Sequence, residues 1–146
     1  MAVIRTAAVN WDGNLASGSG RLDAVSSKAF SALPVTWASR TEAPDGRTSP
    51  EELLAAAHAS CYAMAFAGQL TRAGTPPDRL EVSAEITFDR VDGKWTVVSS
   101  RLTVHGRVLG IDSAGFRAMA TEAKDSCPVS RALVGNVALS TEATLD

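Results

Sequence analysis

Cys61, in "TSPEELLAAAHASCY", and Cys127, in "AKDSCPVSRAL", are the only two cysteines of this 146-residue chain. A thiol attacks electrophiles as its thiolate, forms sulfenic acid with an oxidant, and closes a disulfide with a second thiol. It also simply fills core volume, since free cysteine is among the most buried residue types. His58 stands three residues before Cys61 on roughly the same helical face. That spacing suits a hydrolytic Cys–His dyad, and equally a histidine at a plain helix or subunit contact. His105 falls in a strand without a partner the sequence can name. The cysteines and histidines lack zinc-like spacing. The "GSG" at Gly18–Gly20 does not lead from a parallel strand into a helix, so a nucleotide site is set aside.

The elements that must position these residues are legible in part. Ser49 suits an N-cap, Pro50 suits the first helical position, and Glu52 completes a capping box with Glu51 beside it. The pattern predicts a helix to about Gly74, stopped by "GTPP" and buried because it is apolar on most sides. Cys61 shares a face of it with Leu54, Ala57, His58, Ala65 and Gly68. "DSAGFRAMATEAKDSC" predicts a second helix, capped by Asp112 or Ser113, with Phe116, Met119, Ala120, Ala123 and Cys127 as its apolar stripe. Pro128 ends it, and "VSRAL" adds a further turn. Both cysteines therefore face one core, where a disulfide needs Cα atoms within about 7 Å.

Strands complete the pattern. "TAAVNWDGNLASGSGRLDA" reads as a short hairpin. Residues 24–49 lack clear periodicity, and "RTEAPDGRTS" reads as a surface loop. Trp37 and Arg40 lie at that loop, a position where functional residues concentrate. Residues 80–108 alternate as a long antiparallel hairpin turning at Asp92-Gly93, and "NVALSTEATL" is a final strand. The expected fold is α+β, with antiparallel sheets packed around two central helices in one domain, 1–146.

Composition narrows the function. Apolar residues make up 45% and charged residues 21%, with a net charge of −2, which are ordinary globular values. No Lys/Arg cluster with interleaved aromatics points to nucleic acid. No unbroken apolar run approaches the roughly 20 residues of a membrane span, so no membrane association is expected. "MAVIRTAAVNW" lacks the apolar core of a signal peptide, so the expected location is cytoplasmic and reducing. There, a cysteine pair is more often transient and catalytic than structural. Glu51 precedes Cys61 by ten residues, roughly 15 Å along a straight helix. A carboxylate that far away reaches Cys61 only from a second copy packed antiparallel, with Ala57, Ala65 and Gly68 allowing close approach.

"TSPEELLAAAHASCYAMAFA" followed by "DSCPVSRAL" resembles the OsmC/Ohr family of thiol peroxidases, in its OsmC branch. The resemblance extends through "VNWDGNLASGSG" to essentially the whole chain. It implies an intertwined homodimer with active sites shared across the interface. It implies that Cys61 is the peroxidatic cysteine, Cys127 the resolving cysteine that forms the disulfide, Arg40 the group that holds the thiolate and polarises the peroxide, and Glu51 the carboxylate that orients Arg40. Glu52 stays a capping residue. Arg21, on the N-terminal hairpin, is the rival arginine. The implied substrate is an organic hydroperoxide, reduced to an alcohol in a pocket lined by Met64, Phe66 and Trp37. The implied chemistry needs no metal, haem or flavin cofactor, only an external thiol or dithiol reductant.

Overall fold

The computed structural model describes residues 1–23 and 25–146, and divides them into two compact units, Met1–Leu53 and Leu54–Asp146. In the first unit, β1 (Ala7–Asp12) and β2 (Ser19–Val25) form the expected antiparallel hairpin, and β3 (Leu33–Val35) adds antiparallel to β2. A single helical turn, α1 (Ala38–Thr41), follows. β3 and α1 lie in the stretch that shows no periodicity in sequence. Three and four residues are too few to show a period, and long-range bonds hold them instead. The Thr48 N–H donates to the Pro34 carbonyl (3.1 Å), and Thr48 bridges Val35 in parallel.

α2 (Pro50–Arg72) begins as predicted, with the Glu52 N–H donating to Ser49 Oγ at 3.1 Å. The reciprocal half of the capping box differs: the Glu52 carboxylate accepts from Thr48 Oγ1 at 2.9 Å in place of the Ser49 N–H. At its end Gly74 takes φ +82°, the left-handed conformation that stops a helix, and the Thr75 N–H caps the Leu70 carbonyl.

The second unit holds most of α2, the hairpin of β4 (Pro77–Val91) and β5 (Lys94–Val108), α3 (Ser113–Ser126), α4 (Pro128–Leu133) and β6 (Ala138–Leu145). The hairpin turns where expected, with Asp92 (φ 49°) and Gly93 (φ 77°) both left-handed, as a two-residue hairpin loop requires. One expectation fails. β6 pairs with β5 in parallel, so this sheet is mixed rather than antiparallel. The connection through α3 and α4 is long enough to return the chain to the same end of the sheet, which a hairpin cannot do.

The core of this unit joins Tyr62, Phe66 and Leu70 of α2 to Leu102 and Val104 of β5 and to Phe116, Ala120, Ala123 and Cys127. The Phe66 ring lies 5.0 Å from Phe116 and 5.8 Å from Tyr62, and the Tyr62 hydroxyl donates to the Ala120 carbonyl at 3.0 Å. His58, Tyr62, Phe66 and Leu70, four residues apart, are the buried stripe of α2. Apart from Glu51 in its first turn, the rest of the helix is not buried as expected, and Met64 is 70% exposed. Phe66 belongs to the core and is not free to line a substrate pocket. By length and composition α2 also passes as a membrane span, although its apolar run is broken by polar residues, because these do not lower its average much. A core helix meets the same criterion, and this one buries its stripe in the core just described.

Gly106 of β5 faces the edge of the Phe116 ring, where a Cβ would lie 2.4 Å from Cζ. Gly106→Ala should therefore lower unfolding stability by about 1–3 kcal/mol, as overpacked cores do. Urea denaturation measures this; an unchanged midpoint would show that Phe116 swings aside freely.

Candidate active site

In the first unit, α1 is tied to the residue preceding Ser49. The buried Ser39 hydroxyl lies 2.9 Å from both the Thr36 and Thr48 carbonyls, and the Ser39 N–H donates to Thr36 Oγ1 at 3.1 Å. Arg40 thereby meets the first turn of α2. Its Nε donates to Glu51 Oε2 (3.1 Å) and its Nη2 to Glu51 Oε1 (2.6 Å). Two parallel bonds fix the guanidinium plane as a single bond would not. The guanidinium also lies 5.4 Å from the centroid of Trp37. The expected Arg40–Glu51 pair is thus assembled, with side chains 27% and 11% exposed. Arg21 sits 62% exposed on β2, paired with Asp23 at 2.6 Å. Arg40 and Trp37 line an apolar cavity of about 340 Å³ with Val9, Trp11, Leu22 and Leu53.

In the second unit the two thiols come together. Cys61 is half-buried and Cys127 fully buried; both are free, and Cys61 packs against the core cluster that holds Cys127. Cys127 ends α3 and caps α4, its extended backbone (φ −62°, ψ 124°) turning the chain between them. Pro128 brings no N–H to the first turn of α4, so Val129 offers the first one after the cap, and it faces the Cys61 thiol. Burial pushes the Cys61 thiol above its ordinary pKa, the Val129 N–H pulls it back, and the facing Cys127 thiol raises it again. Burial likewise raises the Tyr62 hydroxyl, with Cys127 adding to the effect, so it remains a donor.

His58 does not form a dyad with Cys61. It is fully buried, with Nδ1 2.7 Å from Ser100 Oγ of β5 and Nε2 2.8 Å from Ser130 Oγ of α4. Both ring nitrogens are occupied by hydroxyls, and burial lowers its pKa from the usual 6.5. Neither serine is singled out by the sequence reading. Ser100 carries a signal nonetheless: it stands in phase with Leu102 and Val104, a polar residue on the inward face of a strand. No group of three or more acidic, histidine or cysteine side chains among the described residues is arranged to hold a metal.

A mixed three-stranded sheet carrying a helix with one thiol, faced by a second thiol at a helix junction, defines an α+β thiol protein. Residues 43–142 match the OsmC-like protein family, and the chain belongs to it. It is 32% identical to Peroxiredoxin OsmC of Escherichia coli K12 over 139 residues, covering 95% of this chain and 96% of that one. Among solved structures, the organic hydroperoxide resistance protein OhrB of Bacillus subtilis superposes with a TM-score of 0.74 at 23% identity, covering 95% of this chain and 98% of its own. A putative organic hydroperoxide resistance protein of Vibrio cholerae, with captopril bound in one active site, gives 0.75 at 19%, covering 98% and 94%. These likenesses establish the OsmC/Ohr fold.

The pKa of His58 carries a stability signature. Unfolded, the imidazole takes up its proton near pH 6.5; folded, it resists until lower pH. Its stabilisation is therefore complete above about pH 6.5 and is lost as pH falls, at up to ~1.4 kcal/mol per pH unit. Wild type should lose stability faster than His58→Gln between pH 7 and 5 in denaturant titrations. Parallel profiles would mean that the imidazole ionises freely in the fold.

Proposed function

We propose that this protein is a cysteine-based peroxidase that reduces organic hydroperoxides to alcohols. The observation that carries the reading is the apposition of a half-buried thiol with a fully buried one, in a chain closely similar along its length to a peroxiredoxin. Cys61 is the accessible member and the nucleophile. Its thiolate attacks the outer oxygen of ROOH, the O–O bond breaks, and the alkoxide leaves and takes a proton to become ROH. Cys61 is left as a sulfenic acid. The Cys127 thiol then displaces that hydroxyl as water, giving a Cys61–Cys127 disulfide, and an external thiol or dithiol reduces it by exchange.

Burial opposes ionisation of Cys61, so the site needs a cation. Arg40, held by Glu51, supplies it and polarises the peroxide. Both arginines are held by a carboxylate through two bonds, and Arg40 is favoured over Arg21 because its side chain is 27% rather than 62% exposed and lines the apolar cavity. The carboxylate lies ten residues from Cys61 on one helix, so Arg40 and Glu51 of one copy serve Cys61 of a second in a homodimer. The apolar cavity beside Arg40, with Trp37 in its wall, receives the organic tail, which favours cumene hydroperoxide over hydrogen peroxide. Cys–His hydrolysis finds no support, since both nitrogens of His58 are bonded to serines.

One equivalent of tert-butyl hydroperoxide should consume both thiols and lower the mass by about 2 Da, the loss of two hydrogens on disulfide closure. Cys61→Ser should abolish the reaction, and Cys127→Ser should stop at the sulfenic acid or over-oxidise. Thiols that stay free in the wild type would overturn the reading. Arg40→Lys, which keeps the charge but loses the fork, should lower kcat/KM roughly ten-fold or more; wild-type values would take Arg40 out of the mechanism.

A further inference from the structure

The buried polar chain Ser100–His58–Ser130 has no part in the chemistry just described, yet it spans three elements and ends on α4, the segment that meets Cys61. Ser130 is 2% exposed, and Ser100 and His58 are fully buried. α4 has only six residues, too few to hold its own position. Its first turn carries two groups that face Cys61: the Cys127 side chain at its cap, in the core cluster against which Cys61 packs, and the Val129 N–H. Ser130 is the next residue along, and its hydroxyl is the polar side-chain anchor of α4 to α2.

We propose that His58 is a positioning residue that acts through Ser130, locking α4 so that Cys127 and the Val129 N–H are held against Cys61. A neutral imidazole has one N–H and one lone pair, so one serine accepts from it and the other donates to it. Ser100 fixes the ring from the β5 side, and the second nitrogen is then committed to α4. Releasing Ser130 would let α4 drift. Cys61 would lose the donor that stabilises its thiolate, and Cys127 would lose its register for disulfide closure. The second consequence rests on the peroxidase reading; the first does not.

The two nitrogens can be separated by substitution. The amide of asparagine ends at the level of Nδ1, and that of glutamine at the level of Nε2. His58→Asn thus keeps the Ser100 bond and loses Ser130, while His58→Gln does the reverse. The pH dependence of Cys61 alkylation by iodoacetamide, followed by peptide mass spectrometry without peroxide, reads the thiolate directly. The titratable side chains near Cys61 in its own chain are the Cys127 thiol and, beyond it, the Tyr62 hydroxyl, which is bonded to Ala120; the Arg40–Glu51 pair proposed to reach it from a second copy is the same in every variant. His58→Asn should raise the alkylation midpoint by about one pH unit, or ten-fold slower modification below it. His58→Gln should stay near wild type. Ser130→Ala should reproduce the asparagine shift, and Ser100→Ala should not, which decides the matter even where His58→Asn fails to fold. Equal shifts in both histidine variants, or none with Ser130→Ala, would reduce His58 to a packing residue. A wild type inert to peroxide in which the asparagine shift still appears would overturn the peroxidase and leave the positioning role standing.

Discussion

A thiol that is to act as a nucleophile, as proposed for Cys61, must be both sheltered and charged, and these demands conflict. Cys61 lies mid-helix, where the dipole of α2 offers little, and burial holds its proton on. What opposes burial within the second unit is one backbone N–H, that of Val129. The local backbone makes that donor available. Cys127 breaks the helical path between α3 and α4, Pro128 has no N–H to offer, and Val129 follows as the first free donor. The same break places the second thiol. One junction of three residues thus supplies both the donor that partly offsets burial at Cys61 and the facing thiol.

The first unit solves a different problem, how to hold a cation still on a segment with almost no regular structure. α1 is a single turn that could not persist alone. The Ser39 hydroxyl, caught between carbonyls on both sides of the loop, replaces the cooperativity of a longer helix. Glu51 then takes both edges of Arg40 while Trp37 covers a face. A loop so anchored offers the adaptability of irregular backbone with the precision of an element.

What the sequence reveals follows the range of the forces involved. Local signals are read correctly: the Ser49 cap, the left-handed Asp92-Gly93 turn, the stripe from Phe116 to Cys127, and the α+β class they imply. β3 and α1 escape because bonds to Thr48, not propensity, create them. The direction of β6 escapes because alternation is the same for parallel and antiparallel neighbours. The burial of α2 is overestimated because apolar content reports what a helix can bury, not what one chain covers. The Arg40–Glu51 pair of the first unit and the facing cysteines of the second are legible through motif and spacing, whereas the serines on His58 are 42 and 72 residues away from it. Their pairing is set by the tertiary fold.

The buried histidine shows why such a link is polar at all. Leucine at position 58 would fill most of the same space and bury more apolar surface. It would also leave the Ser100 and Ser130 hydroxyls without the partner they now have, at roughly 1–3 kcal/mol for each unsatisfied group. Replacing all three residues by apolar ones would remove that cost, and with it the direction of the contact. Apolar packing tolerates a short helix sliding by a fraction of an ångström, whereas a hydrogen bond at 2.8 Å weakens quickly when it is stretched or bent. On the positioning role proposed for His58, the directional contact is the one that constrains the coordinate that matters.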